Sequence, residues 1–218
     1  MTTLADFYDR ILPFAAGLDT GTADMQLRRI IRQFLRKTTL VRTTISFTLT
    51  VGTPTYTINA SQSYQDVGGV LKLTMNGSMR SGADYVPLDA LTEPTTPGPS
   101  TIVNNAQPRG FTFTPPSTLT FYPTPDQAYP CSVLIYESLV TSSANSTVPD
   151  AVMDYADCIA DGVLAQLLAM PQKPWTDLRT SQVHQIEYAN RTLSIRNRFR
   201  EGGASGPLRL RPAVPFGV

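Results

Sequence analysis

The hydrophobic period of this chain changes twice, and that constrains its fold more than any other feature. From Thr22 to Lys37 the apolar residues Met25, Leu27, Ile30, Ile31, Phe34 and Leu35 recur at helical spacing. Thr22 or Asp24, just after the breaker Gly21, is placed to cap that helix. A shorter helix is expected before it, about Leu4 to Leu12, ending near Pro13 and Gly17. From Thr43 the pattern becomes that of strands. Ile45–Val51 alternates apolar residues with Ser and Thr, Tyr56–Ile58 follows a Gly-Thr-Pro turn, and Val70–Met75 runs into Asn76-Gly77, a strong hairpin signal. A second hairpin is expected where Phe111–Thr114 and Leu119–Tyr122 flank Pro115-Pro116-Ser117, and Ser132–Glu137 reads as a last strand. The segment from Glu93 to Gln107, rich in Pro, Thr and Asn, reads as a loop.

Helical spacing then returns. Pro149 suits the first helical position, and Ala151, Val152, Tyr155, Ile159, Val163, Leu167 and Leu168 form an apolar stripe that stops at Met170-Pro171. A final helix is expected over Asp177–Arg200, carrying Val183, Ile186, Tyr188, Leu193 and Ile195, and Gly202-Gly203 ends it. The order helices, strands, helices predicts an α+β fold: a helical bundle built by both ends of the chain, with an antiparallel β domain inserted and an extended C-terminal tail. The expected division is residues 1–42 for the N-terminal helices and 43–141 for the β domain, a sandwich or small barrel. Residues 142–201 would complete the bundle and 202–218 would form the arm. A chain of 218 residues is long enough to bury a real core.

Charged residues make up 16% of the chain, below the usual share of about 25%. Thr, Ser, Asn and Gln cover much of the remaining surface, as is common where subunits pack together. The net charge of +1 predicts no whole-molecule attraction to nucleic acid or anionic membrane. The first residues lack a basic segment followed by an apolar run, and no stretch is apolar for the roughly 18 residues a bilayer requires. Synthesis and use in a cytoplasm are expected, and Cys131 and Cys158 then read as buried free thiols.

Catalytic groups are scarce. His184 is the single histidine, and no P-loop, dinucleotide-binding glycine pattern or His-Glu-x-x-His occurs. No cofactor is expected. Asp150, Asp154, Asp157 and Asp161 are spaced four, three and four apart, which on one continuous helix gathers them on one side. Such a set can be a divalent-metal site or a solvated, salt-bridged face. Carboxylates so placed repel, by about 0.2–0.5 kcal/mol per pair, and call for positive charge nearby. Arg28, Arg32 and Arg36 supply a four-residue-spaced stripe on the earlier helix, with Arg29 and Lys37 beside it. A basic helix facing an acidic one, within a subunit or between subunits, accounts for both stripes better than direct duplex binding does.

The tail differs in kind. Glycine-rich residues 202–206 precede Pro207, Leu208, Arg209, Leu210, Arg211 and Pro212, and then Val214, Pro215 and Phe216. An idle terminus rarely carries Leu, Val and Phe at its end. Alternating side chains on an extended segment suit a partner's groove or sheet edge, and the prolines reduce the entropy lost on docking. The plainer alternative is a strap folded back on its own domain.

Val148-Pro149-Asp150 opening a helix, the run from Ile159 to Met170, Lys173-Pro174-Trp175, the long last helix and the Gly-rich end into Pro207-Leu208-Arg209 together resemble the head-to-tail adaptor (connector) proteins of tailed bacteriophages. The specific part is Val148–Pro212; the first half agrees loosely. That resemblance implies a structural, non-enzymatic protein of the virion neck, assembled in the host cytoplasm. It implies a ring, usually of about twelve copies, below the portal protein, enclosing the DNA channel with transient, non-specific DNA contact. A downstream tail or nozzle protein would dock below. It further implies that 202–218 grips the portal, that the Arg and Asp stripes hold the bundle or ring, and that Pro174 and Trp175 buttress a turn. A carbohydrate- or receptor-binding module working through the Glu93–Gln107 loop is the alternative class, although that loop lacks aromatic residues for stacking. A metal-dependent enzyme using the aspartates ranks third.

Overall fold

The computed structural model describes residues 2–76, 85–87, 89–90, 105–140 and 146–200. Strand β1 (Thr2–Thr3) is followed by 3-10 turns over Leu4–Arg10 and Leu12–Phe14, then helix α1 (Thr20–Thr38). The first expected helix is thus 3-10 rather than α. Only Leu4 and Phe7 of its first segment are buried, so one short apolar edge is all that it has to present.

Helix α1 starts one turn earlier than the apolar pattern suggested. Asp19 is the cap, accepting from the Thr22 N–H at 2.8 Å. The helix buries Leu27, Ile30, Ile31, Phe34 and Leu35 along one side. Each contributes about 1.5–3 kcal/mol on full burial, against about 0.7 kcal/mol or less for differences in helix propensity. Packing therefore fixes this helix. It stops where Thr39 turns left-handed (φ 51°).

The strands are β2 (Arg42–Thr48), β3 (Thr55–Thr57), β4 (Gln65–Asn76), β5 (Tyr85–Pro87), β6 (Asp89–Ala90), β7 (Gly110–Thr114), β8 (Thr118–Tyr122) and β9 (Pro130–Leu139). They form two four-stranded sheets, ordered β2-β9-β4-β5 and β3-β8-β7-β6. All pairings in these sheets are antiparallel except β6 with β7. The β7–β8 hairpin lies where the sequence placed it. The Asn76-Gly77 signal does not make a two-residue turn: Asn76 pairs with Tyr85, so all of 77–84 lies between the strands.

The two sheets share one core, with Leu73, Met75, Val133 and Ile135 from the first and Phe111, Leu119 and Phe121 from the second. Phe47 of β2 reaches across to Tyr56 and Phe121, with ring centroids 5.5 and 6.3 Å away. Within β4, the register shifts between Val67 and Gly69 and again between Val70 and Lys72, and the Tyr136 ring of β9 lies over Gly68 and Gly69. A Cβ on Gly69 would meet that ring at 2.7 Å, so the bulged strand and the aromatic ring require each other.

Strand β10 (Thr147–Val148) pairs with β1 and ties the N-terminus to the start of the second helical region. A 3-10 segment over Asp150–Tyr155 leads into helix α2 (Ala156–Leu167), and helix α3 (Leu178–Arg200) follows. These three helices and the Leu4–Arg10 turn surround a second core of Phe7, Ile30, Phe34, Val152, Ile159, Val163 and Tyr188. Gly162 sits where the helices approach: a Cβ there would stand 2.8 Å from Ile30 Cγ2 and 2.9 Å from the Tyr188 ring.

Strand β9 serves both cores. Val133 and Ile135 face the β core, Leu139 joins the helical one, and the polar residues Glu137 and Ser138 are fully buried between them. Glu137 accepts from the Ser61 N–H at 2.8 Å and from the Ser61 hydroxyl at 2.7 Å, which satisfies one hydrogen bond at each carboxylate oxygen.

Candidate interaction surfaces

The arginine stripe lies on the side of α1 away from its buried residues. Met25, Arg28, Arg29, Arg32, Gln33 and Arg36 line a groove of about 410 Å³ with Val140 from the end of β9. Arg29 and Arg36 are exposed and Arg32 is half-buried. The Arg32 guanidinium is held below its ordinary pKa by burial and then by the charge of Arg36, with Asp66 pulling it back. Its Nε is buried and has no hydrogen-bond partner among the described residues. Like charges are thus concentrated along a partly apolar channel.

The aspartates do not gather on one helical face. Residues 150–155 are 3-10 and the α-helix begins only at Ala156, so the spacing of four, three and four spans two different twists. Asp150 accepts from the Thr2 N–H at 2.7 Å, and those bonds hold its carboxyl below the ordinary value. Asp157 meets Arg10 at 2.8 Å but remains 76% exposed. Asp161 turns inward between α2 and α3. His184 Nδ1 lies 3.0 Å from its Oδ1. Arg191 Nη1 is 2.9 Å from Oδ2, an ion pair not aligned as a hydrogen bond. Inside the chain, then, Asp157 and Asp161 are met by Arg10, His184 and Arg191, while the arginines of α1 face elsewhere. Asp154 lines a hollow of about 260 Å³ with Tyr155, Asp157, Cys158, Arg191, Ser194 and Ile195. Among the described residues no three His, Cys, Asp or Glu side chains converge as metal ligands.

His184 is partly exposed, with its side chain 19% accessible and Phe14 meeting its ring edge-on at 6.3 Å. The apolar residues of α3 divide. Tyr188 is buried and Ile195 packs on the helical core. Val183, Ile186 and Leu193 are 55%, 60% and 55% exposed. Spacings of three and seven place these three on one side of the helix, opposite buried Ser181, Tyr188 and Thr192. Grouping the two sets together hid that second stripe; separating their phases reveals it.

A family model describing the SU10 adaptor protein matches residues 2–211. This chain belongs to that family. The match agrees with the resemblance to phage head-to-tail adaptors carried by residues 148–212, and it extends that likeness through the loosely similar first half. Among curated proteins none matches the sequence.

In this adaptor the α2–α3 connection is tightly held. The Asp177 N–H donates to Leu168 O at 3.0 Å, and the Thr176 N–H to Lys173 O at 3.1 Å. Trp175 packs half-buried on the helical core, with Lys173 Nζ 5.9 Å from its ring centroid; Pro174 beside it is exposed. Asp177 then caps α3, accepting from the N–H groups of Arg179 and Thr180 at 3.0 and 3.1 Å. The arm residues Pro207, Leu208, Arg209, Leu210, Arg211, Pro212, Val214 and Phe216 lie outside the described residues, as does the loop from Glu93 to residue 104. No described helix is long and apolar enough to cross a membrane.

Proposed function

We propose that this adaptor is a structural protein of the phage neck that forms a ring, of about twelve copies by analogy with head-to-tail adaptors, below the portal. The ring would extend the DNA channel, with DNA contact transient and non-specific, and present its lower face to a tail or nozzle protein. The observation that carries this reading is the exposed stripe Val183, Ile186 and Leu193 on a helix whose opposite side is already buried. Exposed apolar residues along one side of a helix mark a surface that a neighbour covers. In a ring that neighbour is the next copy.

Residues 202–218 serve as the arm that holds the portal. Their sequence supports this: a glycine hinge, alternating Leu208-Arg209-Leu210-Arg211, and proline-spaced Val214 and Phe216. Apolar residues supply the grip and the arginines set the register. Just before this segment, Arg42 Nη2 of β2 donates to Phe199 O near the end of α3 at 3.0 Å.

The test is electron microscopy of the chain mixed with its portal, alongside a form truncated after Glu201. The full chain should stack as a ring on the portal, and the truncated form should fail to bind it. Undiminished portal binding without the arm would refute the arm's role. Absence of any ring or portal complex would refute the adaptor reading.

A further inference from the structure

The groove on α1 and the acidic edge before α2 are two halves of a contact that one copy cannot make with itself. Arg29, Arg32 and Arg36 form no ion pair with any described residue, although they crowd along one groove and Arg36 already disfavours the charge on Arg32. On the other surface, Asp154 has no hydrogen bond or ion pair among the described residues, and Asp157 stays largely exposed beside Arg10. Arg191, Tyr155 and Ile195 line the same hollow as these two aspartates, and Tyr155 and Ile195 are partly exposed there. One surface therefore combines carboxylates with the partly exposed Tyr155 and Ile195. The other combines guanidinium groups with Met25, 58% exposed, and Val140.

We infer that the groove lined by Met25, Arg29, Arg32 and Arg36 receives the Asp154–Asp157 edge, with Tyr155 and Ile195 beside it, of a second copy of this chain. Resting on the ring proposed above, this identifies the two unlike patches through which one copy meets the next. Patches that differ in kind associate head to tail, and head-to-tail contacts with a closing rotation generate rings. Opposite potentials guide the encounter and reject the reversed orientation. Apolar area beside the charges supplies attraction that salt does not screen. A phosphate backbone would satisfy the arginines but leave Met25 and Val140 without a counterpart, so the groove suits a protein surface better than nucleic acid.

Charge reversal tests the contact. Arg29→Glu/Arg36→Glu alters exposed groove residues, and Asp154→Arg/Asp157→Arg alters the acidic edge; circular dichroism checks that both still fold. Self-association is followed by sedimentation velocity, and assembly on purified portal rings by electron microscopy. Each variant alone should associate about tenfold or more weakly than the parent chain. An equal mixture of the two should recover association, because each supplies the surface the other has lost. Raising NaCl from about 0.1 M to about 1 M should weaken the parent contact without abolishing it. If rings form normally in both variants, or the mixture does not recover, the inference fails while the adaptor reading stands. If the groove variant keeps its rings but loses binding to a fluorescent DNA duplex, the groove is a nucleic-acid site and the inference is overturned. If the parent chain makes no ring with or without portal, the adaptor reading itself falls, and this inference with it.

Discussion

Two buried positions show how little slack the helical core has. Gly162 has Ile30 Cγ2 and the Tyr188 ring within 3 Å of where a Cβ would stand, and both neighbours are buried core side chains that cannot swing into solvent. Alanine gains about 0.5–1 kcal/mol over glycine in a helix, but overpacking costs about 1–3 kcal/mol. The second effect wins here, so Gly162→Ala is expected to destabilise by about 1–2 kcal/mol in urea unfolding. An unchanged midpoint would mean that the three helices separate without cost. Tyr188 itself makes a second prediction. Burial, and secondarily Cys158, push its phenol up to about 12, and its hydroxyl finds no well-aligned hydrogen bond. Between pH 10 and 12 the unfolded chain loses a proton that the native chain keeps, so this group's contribution is complete below pH 10 and is lost as pH rises through 12. Tyr188→Phe should therefore leave neutral-pH stability unchanged or higher and flatten the alkaline loss, measured as melting temperature against pH. A steeper alkaline loss in the variant would contradict the assignment. The two thiols follow the sequence more directly. Cys131 and Cys158 are buried and free, and burial raises both, Cys131 to about 12.

At the level of elements, the sequence conveyed periods well and local twist poorly. The stripe of α1 is legible because five of the six apolar residues repeat with one period, Met25 alone turning to the arginine side, and the β7–β8 hairpin is legible because two short runs flank prolines. The 3-10 character of Leu4–Arg10 and Asp150–Tyr155 is not, because three-residue and four-residue spacings look alike over a single turn. That ambiguity misplaced the aspartates: read as one α-helix they cluster, but the change of twist at Ala156 sends them to different partners. The pairing of Asp161 with His184, 23 positions away, depends on how α2 crosses α3 and leaves no local signal. It also separates two aspartates that composition treats alike. Asp161→Asn removes the acceptor charge from half-enclosed His184 and from Arg191, and should cost about 1–2 kcal/mol once the exposed Arg191 pair is discounted. Asp154→Asn removes no bond and should stay within about 0.5 kcal/mol. Equal effects in thermal denaturation would mean that the α2–α3 junction is not organised by Asp161.

Across the whole molecule, the question is how a helical core and a β core, built from different parts of the chain, are joined. Strand β9 supplies the continuity, since Ile135 belongs to one core and Leu139 to the other on the same ladder. The residues between them are the vulnerable point. Glu137 is fully buried, and its two carboxylate oxygens are met by the N–H and hydroxyl of Ser61, on the segment joining β3 to β4. Its own N–H donates to Val41 O at 2.9 Å, just after α1. Hydrogen bonds therefore fasten the seam alongside the apolar contacts of Leu40, Val41 and Tyr64. Removing the carboxylate loses both bonds, at about 0.5–1.5 kcal/mol each, and leaves a cavity at a fully buried position. Exposed Ser61 keeps Gln65 Oε1 at 3.2 Å and water as partners. Trp175, the single tryptophan, packs on the helical core, so its fluorescence follows that core, whereas far-ultraviolet circular dichroism follows both. In the parent chain the two signals should report one urea transition at a shared midpoint. In Glu137→Ala the dichroism change should begin at lower urea than the fluorescence change, as the sheets loosen before the helices. Coincident, unshifted transitions in the variant would show that the two cores are joined without help from this carboxylate. A split would place the coupling at Glu137, and with it the rigidity by which a contact on the helices is transmitted to the β sheets.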